Sequence, residues 1–215
     1  MKAVVSDDMV HQAFGDVGEL VPDALAHLSA SQLRYVEGAF VDASTLTQFY
    51  IEPVSGLKHA VNGDGRQLLS CSWDEPLIKD AGQWRVRTKS DDAAEAVAKL
   101  MTYANAKQWS LATGGFSVMI GEQAMIFATD VTSQGLITGK AMRLQQAGAP
   151  RTVRWQFASG YQEIAAADFI AASIKIADFV QATFDVLEPI LDGIKGGTIK
   201  TAVDIDATTW PENHD

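Results

Sequence analysis

The apolar pattern of this chain changes period near Ser90-Asp91-Asp92, and that change confines it to an α+β architecture of two unlike halves. Beyond it, apolar residues recur at helical spacing. From Ala165 to about Leu187, Phe169, Ile176, Val180, Phe184 and Leu187 form a stripe widened by Ile170, Ile174 and Ala177, with Asp168, Lys175, Asp178 and Asp185 opposite. Pro189 kinks this helix or starts a new turn, and Gly196-Gly197 ends it. Asp92 with Glu95 has capping-box spacing and predicts an earlier helix with Val97, Leu100, Met101 and Ala104 on one face, stopped by Gly114-Gly115. A hairpin over Phe116–Ile120 and Ala124–Thr129 follows. A helix capped by Thr132 or Ser133 then turns Leu136, Ile137, Ala141 and Leu144 inward and ends at Gly148 and Pro150. The strand Thr152–Phe157, turned by Ala158-Ser159-Gly160 into Tyr161–Ile164, completes a helix–hairpin–helix–hairpin–long helix unit over residues 92–215. Thr198 caps a short final helix, and Trp210-Pro211 closes the chain.

Residues 1–91 read instead as short antiparallel strands, a β-rich unit. One opens at Lys2-Ala3-Val4-Val5, and an Ala-rich helix follows Pro22. Leu46–Ile51 and Leu57–Val61 flank the turn Glu52–Gly56. Further strands cover Gln67–Trp73 and Gln83–Arg87, separated by a loop from Asp74 to Gly82.

Charge narrows the partners. The chain has a formal net charge of −10, split evenly: 8 basic and 13 acidic side chains to residue 91, and 9 and 14 beyond it. With no basic face, nucleic-acid binding is not expected, nor is binding to an anionic membrane. No apolar run approaches the roughly 18–20 residues of a bilayer span. The first residues lack a signal-peptide pattern, so synthesis in the cytoplasm is expected.

Residue chemistry points away from catalysis. Phosphate-binding and dinucleotide-binding glycine motifs, a nucleophile elbow and zinc-spaced cysteines are all missing from the sequence. His11, His27, His59 and His214 are scattered, so neither a metal nor a cofactor is expected. The acidic pairs are Asp7-Asp8, Asp91-Asp92 and Asp204/Asp206. Helix capping accounts for the second. The third holds a cation only if extended, and otherwise caps backbone groups. Cys71 alternates with polar neighbours between Leu69 and Trp73 and is expected in a core, unreactive. Trp73, Trp109 and Trp155 are also assigned to cores, leaving Trp84 and Trp210 as the candidate interface residues.

From about Asp91 to Pro211 the chain resembles an uncharacterised C-terminal domain of phage and prophage tail-fibre-region proteins. The resemblance rests on Gly114-Gly115-Phe116, Thr129-Asp130, the Ser133-initiated helix and Val153-Arg154-Trp155. Ala165–Phe169, Val180–Asp185 and Ile205-Asp206 complete it. Upstream, Tyr35–Phe40 and the run from Thr47 to Leu57 look like the short hairpin module that precedes this domain. The resemblance implies a virion tail protein, fibre- or baseplate-associated and without enzymatic residues. Its expected partners are other tail or fibre proteins and further copies of itself, with host-surface contact or glycan binding as alternatives. A transient fibre-assembly chaperone is the other role it implies, and a tail-borne glycan hydrolase is the enzymatic alternative.

Overall fold

The computed structural model describes residues 2–13, 18–157 and 159–214; Ala158 of the expected turn lies outside them. The chain divides into two compact units, Met1–Asp92 and Ala93–Asp215.

In the first unit, β1 (Lys2–Ser6) and β2 (Met9–Gln12) form a hairpin turned by Asp7-Asp8, with Ser6 opposite Met9. β3 (Glu19–Leu20), β4 (Leu33–Val36) and β5 (Ala39–Asp42) complete an antiparallel sheet ordered β3-β1-β2-β4-β5. Ala3, Val10, Val21 and Leu33 form its core. The Ala-rich helix expected after Pro22 is only a 3-10 turn, Asp23–Leu25. Ser29, whose hydroxyl and N–H both bond the Gln32 side chain, starts a second such turn and cuts the helix short.

β6 (Gln48–Ile51) lies between β7 (Lys58–His59) and β8 (Gln67–Ser70), both shorter than the runs expected. The expected loop from Asp74 to Gly82 contains β9 (Leu77–Asp80), paired with β10 (Gln83–Val86). Its adjacent Leu77 and Ile78 hide the alternation by which a strand is recognised. Phe49, Ile51 and Cys71 are the buried centre of this region, where burial pushes the Cys71 thiol pKa up.

In the second unit, α1 (Lys89–Thr113) leads into the hairpin β11 (Phe116–Ile120) and β12 (Gln123–Phe127). α2 (Val131–Leu144), the hairpin β13 (Thr152–Phe157) and β14 (Gly160–Ala165), then α3 (Ala166–Lys195) and α4 (Ala202–Asp206) follow. One face of each hairpin packs on α2 and α3 in a core centred on Phe116, Phe127, Phe157 and Phe169. A second core joins Ala104 of α1 to Leu187, Ile190, Ile194 and Ile205. Ser117 at the edge of β11 is bridged in parallel by His214.

The helix termini correct three expectations. α1 starts three residues before Asp92: Thr88 and Asp91 exchange the capping bonds, while Asp92 pairs with Arg87. Asp130 caps α2, accepting from the N–H groups of both Thr132 and Ser133. α3 runs through Pro189 to Lys195, where Ile190 and Ile194 still find the second core, and ends at Gly196 as its glycine pair predicts. Thr201, in a capping box with Asp204, opens α4, whereas Thr198 folds its N–H back onto the Gly193 carbonyl as α3 ends.

Burial corrects four more. Trp109 is 56% exposed, Leu136 60% and Phe184 48%, although each was assigned to a core. Beside Trp109 and Phe184 sits an inward polar side chain with a fixed partner, and the half-buried Gln134, two residues before Leu136, has its own. Gln108 donates to the Thr183 hydroxyl at 2.9 Å, and Gln134 to the Thr129 and Ala112 carbonyls. Once these residues face inward, helical geometry turns their apolar neighbours out. Ile174, part of the expected stripe, is exposed as well. Among the described residues, no helix is long and apolar enough to cross a membrane.

Candidate functional site

A cleft of about 640 Å³ opens in the second unit between the two hairpins, the end of α1 and the start of α2. Its walls are set by local chemistry. Gly115, at a φ of 95°, turns the chain from α1 into β11 and donates its N–H to the buried Thr129 hydroxyl at 2.9 Å. Gln134 clamps the same junction from α2. The Asp130 carboxylate bonded to Ser133 starts that helix, and these hydrogen bonds hold its pKa below the usual carboxylate range.

Strand parity distributes the lining. On β13, Val153, Trp155 and Phe157 face the core, with Trp155 set edge-on to Phe169 at 4.8 Å and Phe157 to Phe127 at 5.0 Å. Arg154 and Gln156 alternate to the other face, where Arg154 lies over the Tyr161 ring at 5.2 Å. Tyr161 is 62% exposed, and across the cleft Ile126 of β12 is 55% exposed. Arg154 is the only charged residue of the lining. Among the described residues it has no ion-pair or hydrogen-bond partner, although Glu163 stands opposite it in register.

The first unit holds the greatest concentration of buried charge. The fully buried Asp8 accepts from His59 Nδ1 at 2.6 Å and from the Ala60 N–H, while Arg66 pairs with Asp7 at 2.5 Å. Asp7, Asp8 and His59 bring one ligand atom each within 4.8 Å of one another, a donor set that a divalent cation accepts. In this fold the same atoms are engaged by Arg66, Ala60 and each other, so the cluster ties the β1–β2 turn to β7. Arg34, also fully buried, lies over Trp73 at 4.0 Å and donates to the Leu33 carbonyl at 2.8 Å, its Nε finding no partner among the described residues. Burial lowers its pKa, and the Asp8 charge opposes that.

The residues singled out in sequence mostly serve the fold. Trp84 is half-buried: its indole N–H donates to the Pro53 carbonyl, and its ring covers Gly56, where any Cβ would come within 2.6 Å. Trp210 is half-buried too, donating to the Ile205 carbonyl and lying near Lys107. Asp204 caps α4; Asp206 accepts from Tyr103 and Lys107, and both carboxylates are held below the usual range by these bonds. Sequence reading missed the Asp8–His59 pairing, because 51 residues separate the partners. It also missed Ile126, Leu136, Arg154 and Tyr161 as one surface. The outward parity of Arg154 and Tyr161 was its one legible signal.

A family model described as Domain of unknown function (DUF4376) matches residues 95–209. The chain belongs to this family. The matched DUF4376 region contains the whole cleft lining and every element from β11 to α4, whereas the β-rich unit lies outside it. Comparison with curated proteins and with solved structures finds no match.

Proposed function

We propose that this DUF4376 protein is a non-enzymatic component of a bacteriophage tail, associated with the fibre or baseplate, that works by packing against neighbouring virion proteins. The observation that carries this reading is the cleft. Its floor is aromatic, its rims expose Ile126, Leu136 and Tyr161, and its lining contains neither histidine, carboxylate nor cysteine. Such a surface offers apolar area and one cation, the makings of a protein contact, and no acid–base pair. Ser133, the nearest candidate nucleophile, is bonded to Asp130 as part of the α2 cap. The tail assignment rests on the ordered resemblance over residues 91–211.

Mass spectrometry of gradient-purified virions tests the proposal. The protein is expected at a fixed copy number per particle, with its deletion giving particles defective in fibres or baseplate. Its absence from particles whose fibres nevertheless fail to fold without it would instead indicate an assembly chaperone. Absence from particles with no tail defect on deletion removes the tail reading altogether.

A further inference from the structure

We infer that the DUF4376 cleft binds an extended polypeptide segment in which acidic and apolar residues alternate, adding it as a strand to the outer edge of β13. The inference rests on the protein-packing reading above and specifies its partner.

Three observations carry it. First, β12 pairs only with β11 and β13 only with β14, so among the described residues both strands keep an outer edge without a strand partner. Residues 126–127 of β12 and 154–157 of β13 line the same cleft. Second, the edges lack the usual protection. Solvent-facing strand edges are normally blunted by charge, proline or a bulge. β12 reads Gln-Ala-Met-Ile-Phe, with neither charge nor proline, and β13 carries Arg154 alone. An incoming main chain can therefore satisfy strand N–H and carbonyl groups, the mode by which sheet edges capture peptides.

Third, the side chains beside those edges define the sequence they accept. A bound strand presents alternate residues to opposite sides. The set on the core side meets Phe127, Trp155 and Phe157 of the lining, which select apolar residues. The set on the outward face, which Ile126 and Tyr161 share, meets Arg154, held over the Tyr161 ring and, among the described residues, without an ion-pair partner. A carboxylate of the peptide completes that pair, whereas a lysine in its place meets a like charge.

Fluorescence anisotropy with the full chain provides the test. The probes are labelled decapeptides that alternate aspartate with valine, leucine or phenylalanine, their lysine-for-aspartate counterparts, and aspartate versions N-methylated at alternate amides. At least one aspartate peptide is expected to bind, with its lysine counterpart about tenfold weaker. Arg154→Glu, at an exposed position, is expected to reverse that order while far-UV circular dichroism stays unchanged. N-methylation should abolish binding, because it removes the strand hydrogen bonds. No binding of any aspartate peptide up to about 1 mM, binding indifferent to Arg154→Glu, or full affinity after N-methylation each overturns the inference. The virion measurement is independent: a particle-bound protein that ignores these peptides keeps the tail reading and loses this one, and peptide binding by a protein absent from particles does the reverse.

Discussion

Lys58 shows how much a single side chain does in the first unit. It is 7% exposed, yet it carries an ammonium group and lies 5.6 Å from the Phe49 ring. Its three donors go to the carbonyls of Ser72, Trp73 and Glu75, at 2.6, 2.9 and 2.6 Å. The loop after β8 thereby closes around a cation supplied from β7. Replacing Lys58 by methionine keeps the apolar stem but leaves three part-buried carbonyls without that donor. The expected loss is about 2 kcal/mol, within the range for polar groups left unsatisfied away from solvent, read as a lower urea midpoint with an unchanged slope. A loss below about 1 kcal/mol would mean that water replaces the ammonium group without penalty. Nothing in the sequence marked Lys58, since a lysine beginning a short strand usually points to solvent.

Among the elements, α3 is the most informative because it is helical where its sequence argues against it. Pro189 has no N–H to return to the Asp185 carbonyl, and its ring crowds the preceding turn. The helix persists because Ile190 and Ile194, both nearly inaccessible, bury against α1 and α4. Pro189 itself is exposed. Pro189→Ala is therefore expected to stabilise the protein by about 1 kcal/mol, part of the intrinsic penalty of a helical proline, and to raise the melting temperature in calorimetry. A lower melting temperature would show that the proline geometry itself is needed to seat the last turns.

The same helix shows where periodicity misleads. Phe169, Ile176 and Leu187 are buried as their spacing predicts. Phe184 is turned out because its neighbour Thr183 faces inward and accepts a hydrogen bond from Gln108. A hydropathy pattern ranks phenylalanine over threonine for the core. It contains no information about a glutamine on another helix, 75 residues away.

For the whole molecule, the two units have separate buried cores, and the DUF4376 match falls on one of them. Phe127 sits at the centre of the second unit, fully buried and in ring contact with Phe157 and Phe169. Phe127→Ala is expected to cost about 3–5 kcal/mol through lost burial and a residual cavity. Hydrogen-exchange mass spectrometry should place the loss of protection in residues 93–214, while peptides from β1, β2 and β4 retain theirs. Equal loss in both regions would show that the chain unfolds as one cooperative body.

What the sequence determined by itself was the α+β class, the position near residue 91 where the architecture changes, the order of helices and hairpins beyond it, and the strand parity that sends Arg154 outward. These follow from local rules: backbone propensity, the 3.6 and 2.0 residue periods, and turn chemistry within a few residues. Tertiary structure alone decided the rest. It brought Asp8 to His59, turned Gln108, Gln134 and Thr183 inward at the expense of Trp109, Leu136 and Phe184, and set two unpaired strand edges beside one arginine. The physical reason is the same in each case. A buried polar group must find its partner wherever the fold supplies one, and distance along the chain does not predict where that will be.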